Sequence, residues 1–305
     1  MIYTVTLNPA VDYVVQLDNF KPGQINRSNF DYKEAGGKGI NVSRVLNRFN
    51  TSSTALGFIG GFTGTFIADY LSEANISHDF IQLEEDTRIN VKLKSGNEES
   101  EVNGRSPEIT DNAYSQFSAK LKGLSSEDIV VLAGSLPSSL PKDTYRSLVD
   151  MLNAQGVTAI LDTSGEALAE AIKAGPAFIK PNNFELAELF GEEVKTDQDI
   201  IRLAKRLHEE NNVDHVLVSM AKEGAIYVGE AGVLKLSAPK GKAIHSVGAG
   251  DSAVAGFIYK WQETKNAEEA AKYAVASGSA TAFSKTLCTK EEVENLLKEV
   301  HVTKI

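Results

Sequence analysis

The chain has 305 residues, 42% hydrophobic and 24% charged, the proportions of an ordinary globular protein with room for one large α/β domain or two smaller ones. Its 31 basic and 41 acidic residues give a net charge of -10, which argues against a general nucleic-acid surface but allows a local phosphate pocket. The single Cys288 excludes an internal disulfide, and the scattered His78, His208, His215, His245 and His301 lack metal-ligand spacing. No leader-like or bilayer-length apolar run is present, so a soluble, cytoplasmic protein without nucleic-acid or membrane partners is expected.

Met1 to Leu7 reads as a strand, Asn8-Pro9-Ala10-Val11-Asp12 as a turn, and Tyr13 to Gln16 as a return to strand. A second extended piece, about Arg27 to Lys33, leads into Gly36-Gly37-Lys38-Gly39-Ile40-Asn41. From Asn41 the residues Val42, Val45, Leu46 and Phe49 recur at helical spacing. A strand over Thr54–Ile59, a helix over Gly64–Ala74 and a short strand over His78–Leu83 follow. Thr87 to Lys94 alternates, turns at Ser95-Gly96-Asn97 and resumes at Glu98 to Val102, a hairpin signal.

Beyond Thr110 helices and strands alternate steadily. Ile129–Gly134, Thr158–Asp162, Phe178–Pro181 and Val216–Met220 are short apolar runs, as in a parallel sheet covered on both faces. Ala225–Val228 and Val233–Leu236 read as antiparallel pieces, and Ala253 to Val300 as almost wholly helical. No linker divides the chain, so one domain over 1–305 is expected. Its ribbons, within about 10–33 and 87–103, should form a small sheet that projects as a lid.

Two glycine turns open helices. Gly248-Ala249-Gly250 runs into a small-residue helix with Asp251 in its first turn. Converging amides and the positive helix end favour an anion there, and the neighbouring carboxylate could take a proton from a hydroxyl. That pairing suits phosphoryl transfer, although an ordinary loop-to-helix junction has the same composition. Gly36-Gly37-Lys38-Gly39 is a second anion or polyol site, or else a tight packing turn. It is no P-loop, because the required glycine-lysine spacing is absent. Asn182 and Glu185 could share a helix face near Mg²⁺, or form a capping box. Arg27, Lys38, Arg88 and Arg105 lie in or beside the ribbons and first glycine turn, where an arginine fork suits a sugar phosphate.

Ala35 to Leu46 and Ser246-Val247-Gly248-Ala249-Gly250-Asp251-Ser252 resemble the two signatures of the ribokinase-like PfkB sugar kinases. Thr6-Leu7-Asn8-Pro9-Ala10-Val11-Asp12 and Lys180-Pro181-Asn182-Asn183-Phe184-Glu185 match as well, so the resemblance spans the chain. It implies an α/β, ribokinase-like fold: a central, mostly parallel sheet with helices on both faces and a small β-sheet lid. Within the family, Gly57 to Gly64 and Thr87-Arg88-Ile89-Asn90 resemble the branch acting on sugar phosphates.

The resemblance implies ATP and Mg²⁺ as cofactors, with fructose 1-phosphate, or alternatively tagatose 6-phosphate, as acceptor. Asp251 would be the base and the amides of Gly248, Ala249 and Gly250 the anion hole. Lys180 would approach the nucleotide phosphates, and Asn182 and Glu185 would organise Mg²⁺ largely through water. Ser219, Lys222 and Gly224 match the nucleotide-side loop, Ala276 and Gly278 would border adenine, and Val247 and Ser252 would flank the nucleotide. Asp12, Gly37, Lys38 and Asn41 would bind the sugar, with Arg88 and Asn90 reaching in from the lid. Arg27 would serve the same pocket or a partner's, in a homodimer paired through the lid. Many family members have an aspartate where this chain has His245-Ser246, so no monovalent-cation site is carried over. A sugar-phosphate sensor without catalysis is the alternative of another class. A dinucleotide oxidoreductase fits worse, because no early strand leads into a Gly-x-Gly-x-x-Gly helix.

Overall fold

Largely apolar strands occupy the centre of the structure, because a strand covered on both faces has little room for a polar side. The computed structural model describes residues 1–96 and 98–305. In chain order, β1 (Ile2–Thr6), β2 (Ala10–Leu17) and β3 (Phe30–Gly36) precede α1 (Lys38–Arg48). Then come β4 (Thr54–Gly60), α2 (Gly61–Glu73), β5 (Ser77–His78), β6 (Ile81–Leu83), β7 (Ile89–Ser95) and β8 (Glu98–Asn103). The middle of the chain supplies α3 (Asp111–Lys122), β9 (Ile129–Ala133), α4 (Thr144–Ala154), β10 (Thr158–Asp162) and α5 (Gly165–Ala171). It continues through β11 (Phe178–Ile179), α6 (Asn183–Phe190), α7 (Asp197–Glu210), β12 (His215–Ser219), β13 (Ala225–Gly229) and β14 (Gly232–Leu236). Helices α8 (Ala249–Thr264), α9 (Ala267–Phe283) and α10 (Lys290–Leu296), with the final strand β15 (Val302–Lys304), complete it.

An 11-stranded sheet runs β15-β14-β13-β12-β11-β10-β9-β1-β4-β5, with β6 also on β4. Its body is parallel, and β13 to β15 extend one edge in antiparallel fashion. One apolar cluster gathers residues of α3, α4 and α7 on one face; a second gathers those of α1, α8 and α9 on the other. Helices α8 and α9 approach closely because Gly256 lacks a side chain: a Cβ there would lie 2.3 Å from Ser277 Oγ.

From β1 the chain steps to β4 on one side and later returns to β9 on the other. The crevice outside the carboxyl ends of strands at such a reversal is where α/β sheets bind ligands. Register places Thr6, Ala133 and Asp162 in one row at that end.

The second sheet has four strands in the order β3-β2-β7-β8. Its ribbons match the expected ones, but β3 runs to Gly36, past the expected limit at residue 33. The reason is pairing: Ala10 to Gln16 on β2 need antiparallel partners, and these are Gly36 back to Phe30. For the same reason the chain is already in strand at Ala10, within the expected turn. The run His78–Leu83 is two strands, β5 and β6, each pairing separately with β4. Helix α1 starts at Lys38, ahead of Asn41. The helical tail breaks after Phe283 and ends in β15, which pairs with β14. Of the predicted Ser95-Gly96-Asn97 turn, Asn97 lies outside the described residues.

Candidate active site

Both predicted glycine turns open on one cavity of about 1090 Å³ at the carboxyl ends of the strands. Pockets for single drug-sized ligands span about 300–1,000 Å³, so this one has room for two substrates. Asp12, Gly37, Lys38, Asn41, Arg88 and Asn90 line it from the small sheet and α1. Lys180, Asn182, Glu185, Ser219, Lys222, Gly224 and Gly278 line it from the main sheet and α9, with Val247 to Asp251 between the two groups in the lining.

At the first turn, Gly37 holds φ 131°, and a Cβ there would meet Thr6 Cγ2 at 2.6 Å. Gly37 has no side chain with which to cap α1; the amide of Ile40 instead donates to Thr6 Oγ1 at 3.1 Å, while the earlier amides remain for a ligand. Asp12 is clamped in the small sheet. Asn90 Nδ2 donates to its Oδ1 at 3.1 Å, and Lys92 Nζ lies 3.0 Å from Oδ2. Arg88 donates to the carbonyl of Asn8 at 3.0 Å.

At the second turn, Gly248 precedes α8 in the left-handed region at φ 77°. The amide of Ser252 donates to its carbonyl at 2.9 Å, which closes the first helical turn. The Ala249 amide donates to Ser246 O at 3.2 Å, so it is partly spent within the turn. The amides of Gly250 and Asp251 precede the first intrahelical bond and have no backbone acceptor among the described residues. Among the described residues the free donors are thus Gly248, Gly250 and Asp251, with Asp251 in place of the expected Ala249. Gly250 has a separate requirement, since a Cβ there would lie 3.1 Å from Lys180 Nζ.

Asp251 is 6% exposed. Burial, and secondarily the negative charge of Asp162, push its carboxyl up to about 6, against the pull of Lys38, Asn41 and Lys180. Asn41 Nδ2 donates to Asp251 Oδ2 at 2.8 Å, leaving Oδ1 for an incoming hydroxyl. Asp162 was missed in the sequence, although an acid ending a buried parallel strand is a usable signal. It is 3% exposed and is held below the usual carboxylate range, against its own burial, by Lys180 and Lys38.

Asn182 and Glu185 form the capping box. Asn182 Oδ1 accepts from the amides of Phe184 and Glu185, and Glu185 Oε2 accepts from the Asn182 amide at 2.8 Å. Both Asn182 lone pairs are therefore used, and Glu185 keeps one carboxylate oxygen. No group of three or more metal-ligating side chains occurs among the described residues. One free carboxylate oxygen beside an open cavity fits Mg²⁺, which retains several waters and takes substrate phosphates as ligands. Ser219 joins this region through its amide, which donates to Pro181 O at 2.9 Å.

Four expected residues lie off the cavity. Ala276 is fully buried in the second core; α9 lines the cavity instead with Ala274, Val275, Gly278, Ser279, Ala282 and Phe283, because 100° per residue turns position 276 inward. Ser252 is likewise buried, its hydroxyl 2.7 Å from Thr281 Oγ1. Arg27 is exposed on the loop between β2 and β3 and does not line its own chain's cavity. Arg105 pairs with Glu85 at 3.3 Å on the surface.

Residues 5–293 match the pfkB family of carbohydrate kinases. A 1-phosphofructokinase of Bacillus subtilis is 48% identical over 305 residues, covering 100% of both chains. A D-tagatose-1-phosphate kinase of Bacillus licheniformis is 35% identical over 99% of both. The crystal structure of phosphofructokinase-2 from Escherichia coli with substrates and products superposes with a TM-score of 0.92 at 28% identity, covering 97% of this chain and 98% of that one.

Proposed function

The chain belongs to the pfkB family of carbohydrate kinases, and from that premise we propose that it transfers the γ-phosphoryl group of ATP to the free primary hydroxyl of fructose 1-phosphate, giving fructose 1,6-bisphosphate. The observation that carries this reading is the buried Asp251 carboxylate, oriented by Asn41 at the mouth of an amide-rich helix start. The 48% identity to a 1-phosphofructokinase over the full chain supports the choice of sugar.

In this mechanism Asp251 Oδ1 accepts the proton of the sugar's C6 hydroxyl as its oxygen attacks the γ-phosphorus. The bond to the β–γ bridging oxygen breaks and ADP leaves. Amides at Gly248, Gly250 and Asp251 and the ammonium groups of Lys38 and Lys180 face the charge that develops on the transferring group. Glu185, locked by Asn182, would hold Mg²⁺, which when bound neutralises phosphate charge. Asp12, fixed by Asn90 and Lys92, accepts sugar hydroxyls, and Arg88 and Asn90 bind from the small sheet. That sheet acts as the lid. Its exposed Phe30 and Val102, 58% and 65% accessible, favour pairing with the sheet of a second copy, whose cavity Arg27 would serve.

A second reading keeps every catalytic role and changes only the sugar to tagatose, as the 1-phosphate that the 35% identical relative takes or as the 6-phosphate. ADP release with Mg-ATP, run in parallel on fructose 1-phosphate, fructose 6-phosphate and both tagatose phosphates, separates the readings. A strong preference for fructose 1-phosphate is expected; preference for a tagatose phosphate establishes the second reading. Silence on all four would favour the non-catalytic sensor, against which the intact Asp251 stands.

A further inference from the structure

The roles above leave one buried acid without a task. Asp162 ends β10 in the row of strand ends beneath the cavity. Its Oδ1 lies 3.5 Å from Lys38 Nζ and 3.8 Å from Lys180 Nζ, while Oδ2 has no hydrogen-bond partner among the described residues. A buried carboxylate costs several kcal/mol in desolvation unless it is paired, and here two ammonium groups share it. The two come from separate elements. Lys38 begins α1, the helix that carries Asn41 to Asp251, and Lys180 follows β11 and reaches to Gly250. Two cations converging on one point repel each other and separate unless a common anion holds them.

We propose that Asp162 is a positioning residue for phosphoryl transfer, whose single carboxylate oxygen holds Lys38 from the sugar-side turn and Lys180 from the nucleotide side so that both meet the transferring group. No bond or proton changes at Asp162 itself. Glu185 does not substitute for it, because its Oε2 is committed to the Asn182 amide. The proposal rests on the kinase reading.

The test is Asp162→Asn, which keeps the shape and removes the charge, assayed with Mg-ATP and the preferred sugar phosphate. A fall in kcat of about 10²-fold is expected, the scale of losing one preorganised electrostatic group, with both KM values moving far less. Lys180→Met should then cost much less in the Asp162→Asn background than in the wild type, since residues acting as a unit are non-additive. Asp162→Glu, which restores the charge on a longer arm, should recover part of the loss and serves if the Asn variant misfolds. Wild-type kcat in Asp162→Asn, additive losses with Lys180→Met, equal loss in the Glu and Asn variants, or full recovery by added Mg²⁺ overturns the proposal. An inert wild type would instead remove the kinase reading, and the proposal with it.

Discussion

Asn41 Nδ2 donates to Asp251 Oδ2 at 2.8 Å and so ties the first glycine turn to the second across 210 residues of sequence. A hydrogen bond to the charged form favours that form, so Asn41 opposes the burial that lifts the Asp251 carboxyl. Asn41→Leu should move the acid limb of the pH–rate profile to higher pH; a rise of about one pKa unit lowers kcat about twofold at pH 7 and about tenfold well below pH 6. An unchanged profile would show that the bond does not tune the base.

The wild-type profile has its own sign. A base works only when deprotonated, and the Asp251 carboxyl is raised to about 6 by burial and by Asp162. Activity should therefore be full near pH 7.5 and fall about tenfold per pH unit well below pH 6. Stopped assays from pH 5 to 8 with saturating Mg-ATP measure it.

Two glycines of the second turn, Gly248 and Gly250, should fail in different ways. Gly248 has φ 77°, and a Cβ would meet Leu287 Cδ2 at 2.5 Å, so Gly248→Ala should cost about 1–2 kcal/mol of stability for the left-handed backbone alone. Gly250 carries no such backbone demand, and its Cβ would press only on Lys180 Nζ. Gly250→Ala should keep the denaturation midpoint and lose turnover. Urea titration and kcat on both variants separate strain from displacement of the lysine.

His215 supplies a pH term in stability that is independent of catalysis. Burial beneath Trp261 and Phe257 pulls its ring down to about 4, and its Nδ1 lies 2.7 Å from Tyr227 Oη. The unfolded chain, with histidine near 6.5, binds the proton first as pH falls. His215 thus contributes stability above about pH 6.5 that is lost progressively down to about pH 4. His215→Gln, which keeps a partner for Tyr227, should flatten the urea midpoint across that window.

Much of this was legible in the chain. The apolar residues of β10 and β12 are dictated by burial, so pattern alone located these strands to within a residue. Asp251 was singled out by glycines and an acid together at a helix start, a composition that an ordinary loop-to-helix junction shares; its burial and its bond from Asn41 are visible only in the fold. What escaped depends on distant partners. The extent of β3 is set by β2, and β15 is three residues whose only reason to be extended is the edge of β14. Ala276 and Val275 are both apolar in the sequence; only the rotation of α9 decides which faces the cavity. The cost of burying Asp162 beside two lysines becomes visible only once β10, α1 and β11 are assembled.

The most direct test of the account is Asp251→Asn, with nucleotide and sugar-phosphate binding measured by calorimetry alongside kcat. The substitution keeps an acceptor for Asn41 and relieves a buried charge, so the folded chain and both affinities should survive. Turnover should fall by about two to four orders of magnitude, the usual worth of a general base. Intact binding with that loss supports Asp251 as the group that takes the proton. Near-wild-type turnover in Asp251→Asn would contradict it and leave the site without a base.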